Sequence, residues 1–189
     1  MKKLTLTLAL LLALFGAGCG GTGTTKFVHP EFDFSFVESV AVIPFENLSD
    51  SQGSGAQATR YFITSLLSSD AFVVIEPGEV ARALETQSLV RTAQLSVDQI
   101  KAVGRDLGVQ GLFLGTVSES ASLRSGSTTV SVVTVVLRLV ETETGATVWS
   151  ATNSDDSSGF WSTLFGTGQK SRSEVMRRCI DGCLDTLLD

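Results

Sequence analysis

Hydrophobic and polar positions change period along the chain, and each change marks an element. The apolar run Leu4 to Phe15, interrupted only by Thr5 and Thr7, follows the basic pair Lys2 and Lys3 and ends at Gly16-Ala17-Gly18. A bilayer-spanning helix needs about 20 apolar residues, whereas an export signal has an apolar core of roughly 7 to 15 followed by small residues. Residues 1–18 therefore read as a cleaved signal. Gly20 to Thr25 contain only Gly and Thr, and Lys26 to Phe36 bring in Pro30 among phenylalanines. Residues 19–36 are expected to form a flexible tether, with a stretched reach of at most ~60 Å.

The β-branched run Val37 to Phe45 predicts a buried first strand, stopped by Pro44 and the turn-forming Asn47 to Asp50. Ala58, Tyr61, Phe62, Ser65 and Leu66 recur at helical spacing before Ser68-Ser69-Asp70, and Phe72 to Ile75 read as a second strand. Pro77 opens a second helix at the position where proline is tolerated, with Val80, Ala83 and Leu84 on one side. Ser96-Val97-Asp98-Gln99 has capping-box spacing; Ile100, Val103 and Leu107 form the stripe of a third helix that Gly108 closes.

Gln110 to Ser118 predict a third strand, Arg124 to Thr128 a polar loop, and Thr129 to Val140 a long fourth strand. The turn Glu141-Thr142-Glu143-Thr144-Gly145 leads into a fifth strand, Ala146 to Thr152. A polar stretch from Asn153 to Gly159 precedes Phe160, Trp161, Leu164 and Phe165, and a final helix from about Ser171 aligns Val175, Cys179, Cys183 and Leu187. The order βαβααβββα implies an α/β (α+β) fold, a mixed five-stranded sheet with helices packed over it, in a single domain over 37–189.

Composition narrows the function. Removing residues 1–18 leaves 171 of 189, enough for one domain with a sizeable core. The net charge of −6 becomes about −8 once Lys2 and Lys3 are gone, and no basic cluster remains, so nucleic acid and anionic lipid are poor partners. The single histidine, His29, lies in the tether. A Ser-His-Asp triad, a Cys-His pair or a His-ligated metal therefore cannot be assembled in the domain. Asp155-Asp156 sit in Ser/Gly-rich surroundings and read as a solvated loop, and Gly53-Ser54-Gly55 lacks the remaining residues of a phosphate loop and reads as a helix start. Cys179 and Cys183 are four apart on one helical face. A disulfide needs Cβ atoms about 3.8 Å apart, against about 5–6 Å at this spacing, so two buried thiols are expected. No enzyme activity, cofactor or metal is expected.

Leu14-Phe15-Gly16-Ala17-Gly18-Cys19 resembles the lipobox of bacterial lipoproteins, with Gly16 where leucine is usual. The resemblance implies cleavage before Cys19 and a lipid anchor on that cysteine; Gly20 in place of aspartate implies sorting to the periplasmic face of the outer membrane. Val40-Ala41-Val42-Ile43-Pro44-Phe45-Glu46-Asn47-Leu48-Ser49, the segment Ala102 to Val117 and the hairpin Arg138 to Ser150 look, in order, like the TolB N-terminal and CsgG-like periplasmic domains, to which the LpoB-like lipoproteins are related. This implies an anticodon-binding-like α/β domain used for assembly.

Two function classes follow. The first is a non-catalytic scaffold or assembly lipoprotein of a cell-envelope or secretion complex, with membrane contact through Cys19 and envelope proteins as partners. Its candidate contact surface is Phe160, Trp161, Leu164 and Phe165, which Trp149 on the neighbouring strand would extend; the alternative is that these side chains pack over the sheet edge. The second is a homo-oligomeric, CsgG-like secretion-channel subunit, for which two amphipathic hairpins are needed and not found in Ser118 to Thr128 or Asn153 to Ser173. An LpoB-like activator of a peptidoglycan synthase is a further alternative, against which the short tether argues.

Overall fold

The structure, a computed structural model of the 189-residue chain, describes residues 24–89, 91–92, 94–125, 128–157 and 170–188. One mixed sheet organises them. Strands β1 (Thr25–Val28), β2 (Ser39–Val42), β3 (Glu46–Asn47), β4 (Val73–Val74), β5 (Gly111–Ser125), β6 (Thr128–Glu141) and β7 (Thr147–Asp156) take the spatial order β1-β7-β6-β5-β2-β4, with β3 also paired to β5. Helices α1 (Ser54–Ser69), α2 (Pro77–Thr86), α3 (Val97–Leu107) and α4 (Arg172–Leu188) cover it.

Parallel pairing of β2 with β4 and β5 forces helical crossovers, whereas β5, β6 and β7 pair in sequence as an antiparallel meander. A strand buried on both faces shows no polar alternation, which is why Val40-Ala41-Val42-Ile43 reads as one apolar run. Val40 and Val42 meet Phe62 and Leu66 of α1 and the α4 residues Val175, Cys179 and Ile180 in one core cluster; Ala41 and Ile43 meet Val80 and Leu84 of α2 and Ile100 and Val103 of α3 in a second.

Local signals place three helices. In α3 the Ser96 hydroxyl accepts from the Gln99 amide at 3.3 Å, the Gln99 side chain accepts from the Ser96 amide at 2.8 Å, and Gly108 closes the helix at φ +65°. Pro77 opens α2. Gly53, at φ +78°, precedes α1, so the glycine pair is a helix start as expected. Gly55 lies where α1 meets the strand layer: a Cβ there would stand 2.4 Å from the Phe45 carbonyl oxygen, a backbone atom that cannot rotate away. Gly55→Ala is expected to push α1 off the sheet and cost about 1–3 kcal/mol, read as a lowered urea midpoint at unchanged slope.

Four expectations are corrected. The sheet has seven strands rather than five. The residues expected as tether contribute β1, paired antiparallel to β7 from Thr25 opposite Thr152 to Val28 opposite Trp149, and a 3-10 turn at Phe34–Phe36. The strand expected over Val37 to Phe45 shortens to β2, and a second strand, β3, follows beyond that run at Glu46–Asn47, where the turn was expected to begin; both pair to β5, with Pro44, which has no amide for the ladder, between them. The polar stretches are strand rather than loop: β5 and β6 pair as far as Ser125 opposite Thr128, and β7 runs on to Asp156. Serine, threonine and asparagine conceal these extensions, since Ser120, Ser131 and Asn153 point inward.

Candidate interaction surface

Cys19 and the aromatic residues Phe160, Trp161, Leu164 and Phe165 lie outside the described residues. Trp149, the candidate extension of that surface, is fully buried and packs in the core, its ring edge-on to Phe113 at 6.2 Å and its Nε1 donating to Thr186 Oγ1 at 3.1 Å. Asp155 is not in a solvated loop: at the end of β7 it pairs with Arg178 of α4 at 2.9 Å. Cys179 and Cys183 are free, buried thiols, as expected. Among the described residues no group of three or more His, Cys, Asp and Glu could hold a metal, and no helix is long and apolar enough to cross a membrane.

The molecule has two distinct ends. Chain direction in β1 places Thr25 toward the β5–β6 hairpin and Val28 toward the β6–β7 turn. The chain thus enters the sheet from the hairpin end, opposite the β6–β7 turn. At that far end the segment 29–38 folds back against the sheet. The His29 amide donates to the Val148 carbonyl at 2.8 Å, and Asp33 caps the 3-10 turn by accepting from the Ser35 amide at 2.9 Å. Hydrogen bonds from the Ser35 side chain and amide hold the Asp33 carboxyl below the usual carboxylate range. The capped turn buries Val37 but leaves Phe36 74% exposed.

The β6–β7 turn is equally constrained. The Glu141 carboxylate accepts from the amides of Glu143 at 3.0 Å and Thr144 at 2.8 Å and from the Thr144 hydroxyl, and Gly145 turns the chain at φ +80°. Between this turn and segment 29–38 lies an apolar cleft of about 520 Å³, walled by Phe32, Phe36, Val37 and Val148 and edged by Glu141 and Glu143. A second cleft of about 560 Å³ shares Val37 and continues past the 3-10 turn to Phe72, Val73 and Leu187, edged by Glu38 and Asp70. On the other side of the turn a more polar cleft of about 480 Å³ sets Lys101 and Arg105 of α3 against the same Glu141 and Glu143. None of these three clefts was anticipated from the sequence. Their walls join segments roughly thirty to a hundred and fifty positions apart, and the one local signal was the density of phenylalanines after Pro30.

The sequence model of the family described as peptidoglycan-synthase activator LpoB matches residues 35–154, from the 3-10 turn to the last strand. The chain belongs to this LpoB-like lipoprotein family. The TolB N-terminal and CsgG-like naming gives way to it. The motifs that suggested those names, a strand ending in Pro-Phe, a helix stop before a strand and a tight hairpin, describe a fold rather than one family. No curated protein matches the chain. Among solved structures, the PelC dodecamer of Paraburkholderia phytofirmans is similar at a TM-score of 0.60 and 23% identity, over 87% of this chain and 96% of that one. Lipoprotein GNA1162 of Neisseria meningitidis follows at 0.59 and 17%, over 79% and 97%. A hypothetical protein of Chlamydia trachomatis reaches 0.51 and 14%, over 80% and 96%. These likenesses establish the α+β fold.

Proposed function

We propose that this chain is a non-catalytic envelope lipoprotein, held by lipid on Cys19 at the periplasmic face of the outer membrane, which acts by protein contact on a peptidoglycan synthase. The observation that carries this reading is the family match across β2 to β7. The domain is compatible with it, since its far end offers clefts with apolar walls bordered by charge. Because β1 begins at Thr25, the free tether shrinks to the span from Cys19 to Thr25, ~20 Å at full stretch. The domain therefore stays close to its membrane, and the synthase has to present a segment that reaches it there.

The test is glycan polymerisation by the host's synthase, with and without the lipidated chain in the same vesicles. A several-fold rise in rate is expected; an unchanged rate together with no co-purification would sink the proposal. A second reading, a homo-oligomeric assembly at the membrane, draws on the two open sheet edges, where Phe27 and Val28 of β1 and Val73 of β4 are exposed. PelC is a dodecamer on the same fold. Light scattering of the lipidated protein in detergent separates the two, since a ring-sized mass supports only the second.

A further inference from the structure

The two apolar clefts meet at Val37 and form one belt around segment 29–38. Its apolar content is large for a surface: Phe36 and Val73 are 74% and 66% exposed, and Phe32, Phe34, Phe72 and Leu187 are only partly buried against the core. A contiguous apolar strip of this kind on a soluble face marks a place where something binds. The charge along its border is of one sign. Glu141 and Glu143 edge the first cleft, which His29 also lines, and Glu38 and Asp70 the second; among the described residues that line either there is no lysine or arginine. The cleft beyond the turn is distinguished from the belt by the cations Lys101 and Arg105 in its lining.

We propose that this belt is the docking surface for a cationic, apolar protein segment: aromatic or aliphatic side chains entering beside Phe36 and Val37, flanked by lysines or arginines that meet Glu143, Glu38 and Asp70. Charge complementarity chooses this occupant. An anionic lipid surface or an acidic segment would face four carboxylates. A second copy of this chain, net −6 overall, is repelled in the same way. Position agrees, because the belt lies at the end away from the N-terminal entry, where a partner approaches without meeting the membrane. The rim is also preformed: Asp33 fixes the 3-10 turn and Glu141 fixes the β6–β7 turn, so docking orders little backbone. The inference rests on the proposed function and names the chemistry of its partner.

The test uses the full lipidated protein in zwitterionic phosphatidylcholine nanodiscs. It is titrated with a fluorescent peptide of about 12 residues alternating Lys with Leu and Phe, and with its counterpart carrying Glu for Lys; empty discs set the baseline. Binding of the Lys peptide alone is expected, weakened about tenfold by Phe36→Ser and by Glu143→Lys and unchanged by Glu85→Lys on the exposed side of α2. Equal binding of both peptides, equal loss with Glu85→Lys, or no binding overturns the surface. Synthase stimulation by the Phe36→Ser protein separates this inference from the function. If the variant stimulates as well as wild type, the function stands and the surface is wrong. If the Lys peptide binds as expected but wild type leaves the synthase unstimulated, the surface stands and the partner is wrong.

Discussion

Trp149→Ala is expected to lower the unfolding free energy by about 3–5 kcal/mol, the range for removing a large buried aromatic side chain. Trp149 is fully buried on β7 and joins two things the fold depends on: the aromatic cluster through Phe113, and α4 through its hydrogen bond to Thr186. A domain of this size has roughly 5–15 kcal/mol in total, so the variant is expected to be partly unfolded at the temperature where wild type is intact. Trp149→Phe is the milder change. It keeps a ring beside Phe113 and removes the Nε1 donor together with part of the indole volume; Thr186 keeps its own bond to the Cys183 carbonyl. A cost of about 1–3 kcal/mol is expected, for the lost bond and the smaller ring together. Urea unfolding followed by far-ultraviolet circular dichroism reads both. An alanine variant that loses less than the phenylalanine variant would show that Trp149 does not bear on the core.

The second large effect is alkaline. Burial pushes the Cys179 thiol up to about 12 from 9.0, with the Asp155 carboxylate adding to the rise, and burial beside Cys179 pushes Cys183 up to about 12 as well. Both groups hold their protons more tightly in the folded state. The unfolded chain starts to release them near pH 9, whereas the folded chain keeps them to about 12. Their contribution is thus fully present below pH 9 and disappears as pH rises toward 12, with a total on the order of several kcal/mol. The expected result is a steep fall in the urea midpoint between about pH 9 and 12. A Cys179→Ala/Cys183→Ala variant, less stable at neutral pH, is expected to show a visibly flatter fall. Parallel slopes for the two proteins would rule the thiols out as the cause. At pH 8 both thiols are expected to react with an aromatic disulfide reagent only after unfolding, since Cys179 is held inside by its bond to the Val133 carbonyl at 3.4 Å.

Residues near in sequence were enough to read much of this protein. The Ser96–Gln99 box, Pro77 and Gly108 act within one helical turn of themselves, so the start of α2 and both ends of α3 were legible. The run around Val40 needs no knowledge of its neighbours to be a buried strand, and the i,i+4 spacing of Cys179 and Cys183 alone disfavours a disulfide. Family membership was partly legible too, since the residues that carried the resemblance, about 37–152, are nearly those that match LpoB.

Tertiary structure decided the rest. Strand β1 has four exposed residues and no period of its own; it is a strand because the edge of β7 supplies the partners its backbone lacks. The outer lengths of β5, β6 and β7 are rich in serine and threonine and look like loop until their neighbours pair with them. Trp149 could have served a partner as readily as the core, and only the arrival of α4 over β7 settles it inside. The acid-edged belt brings segment 29–38 beside the turn at 141–146 and beside Asp70 to Val73, so no local window contains it. Local rules choose conformations through bonds within a turn or two. Edges, burial and clefts arise from surfaces brought together across the chain, and they exist only once the whole sheet has formed.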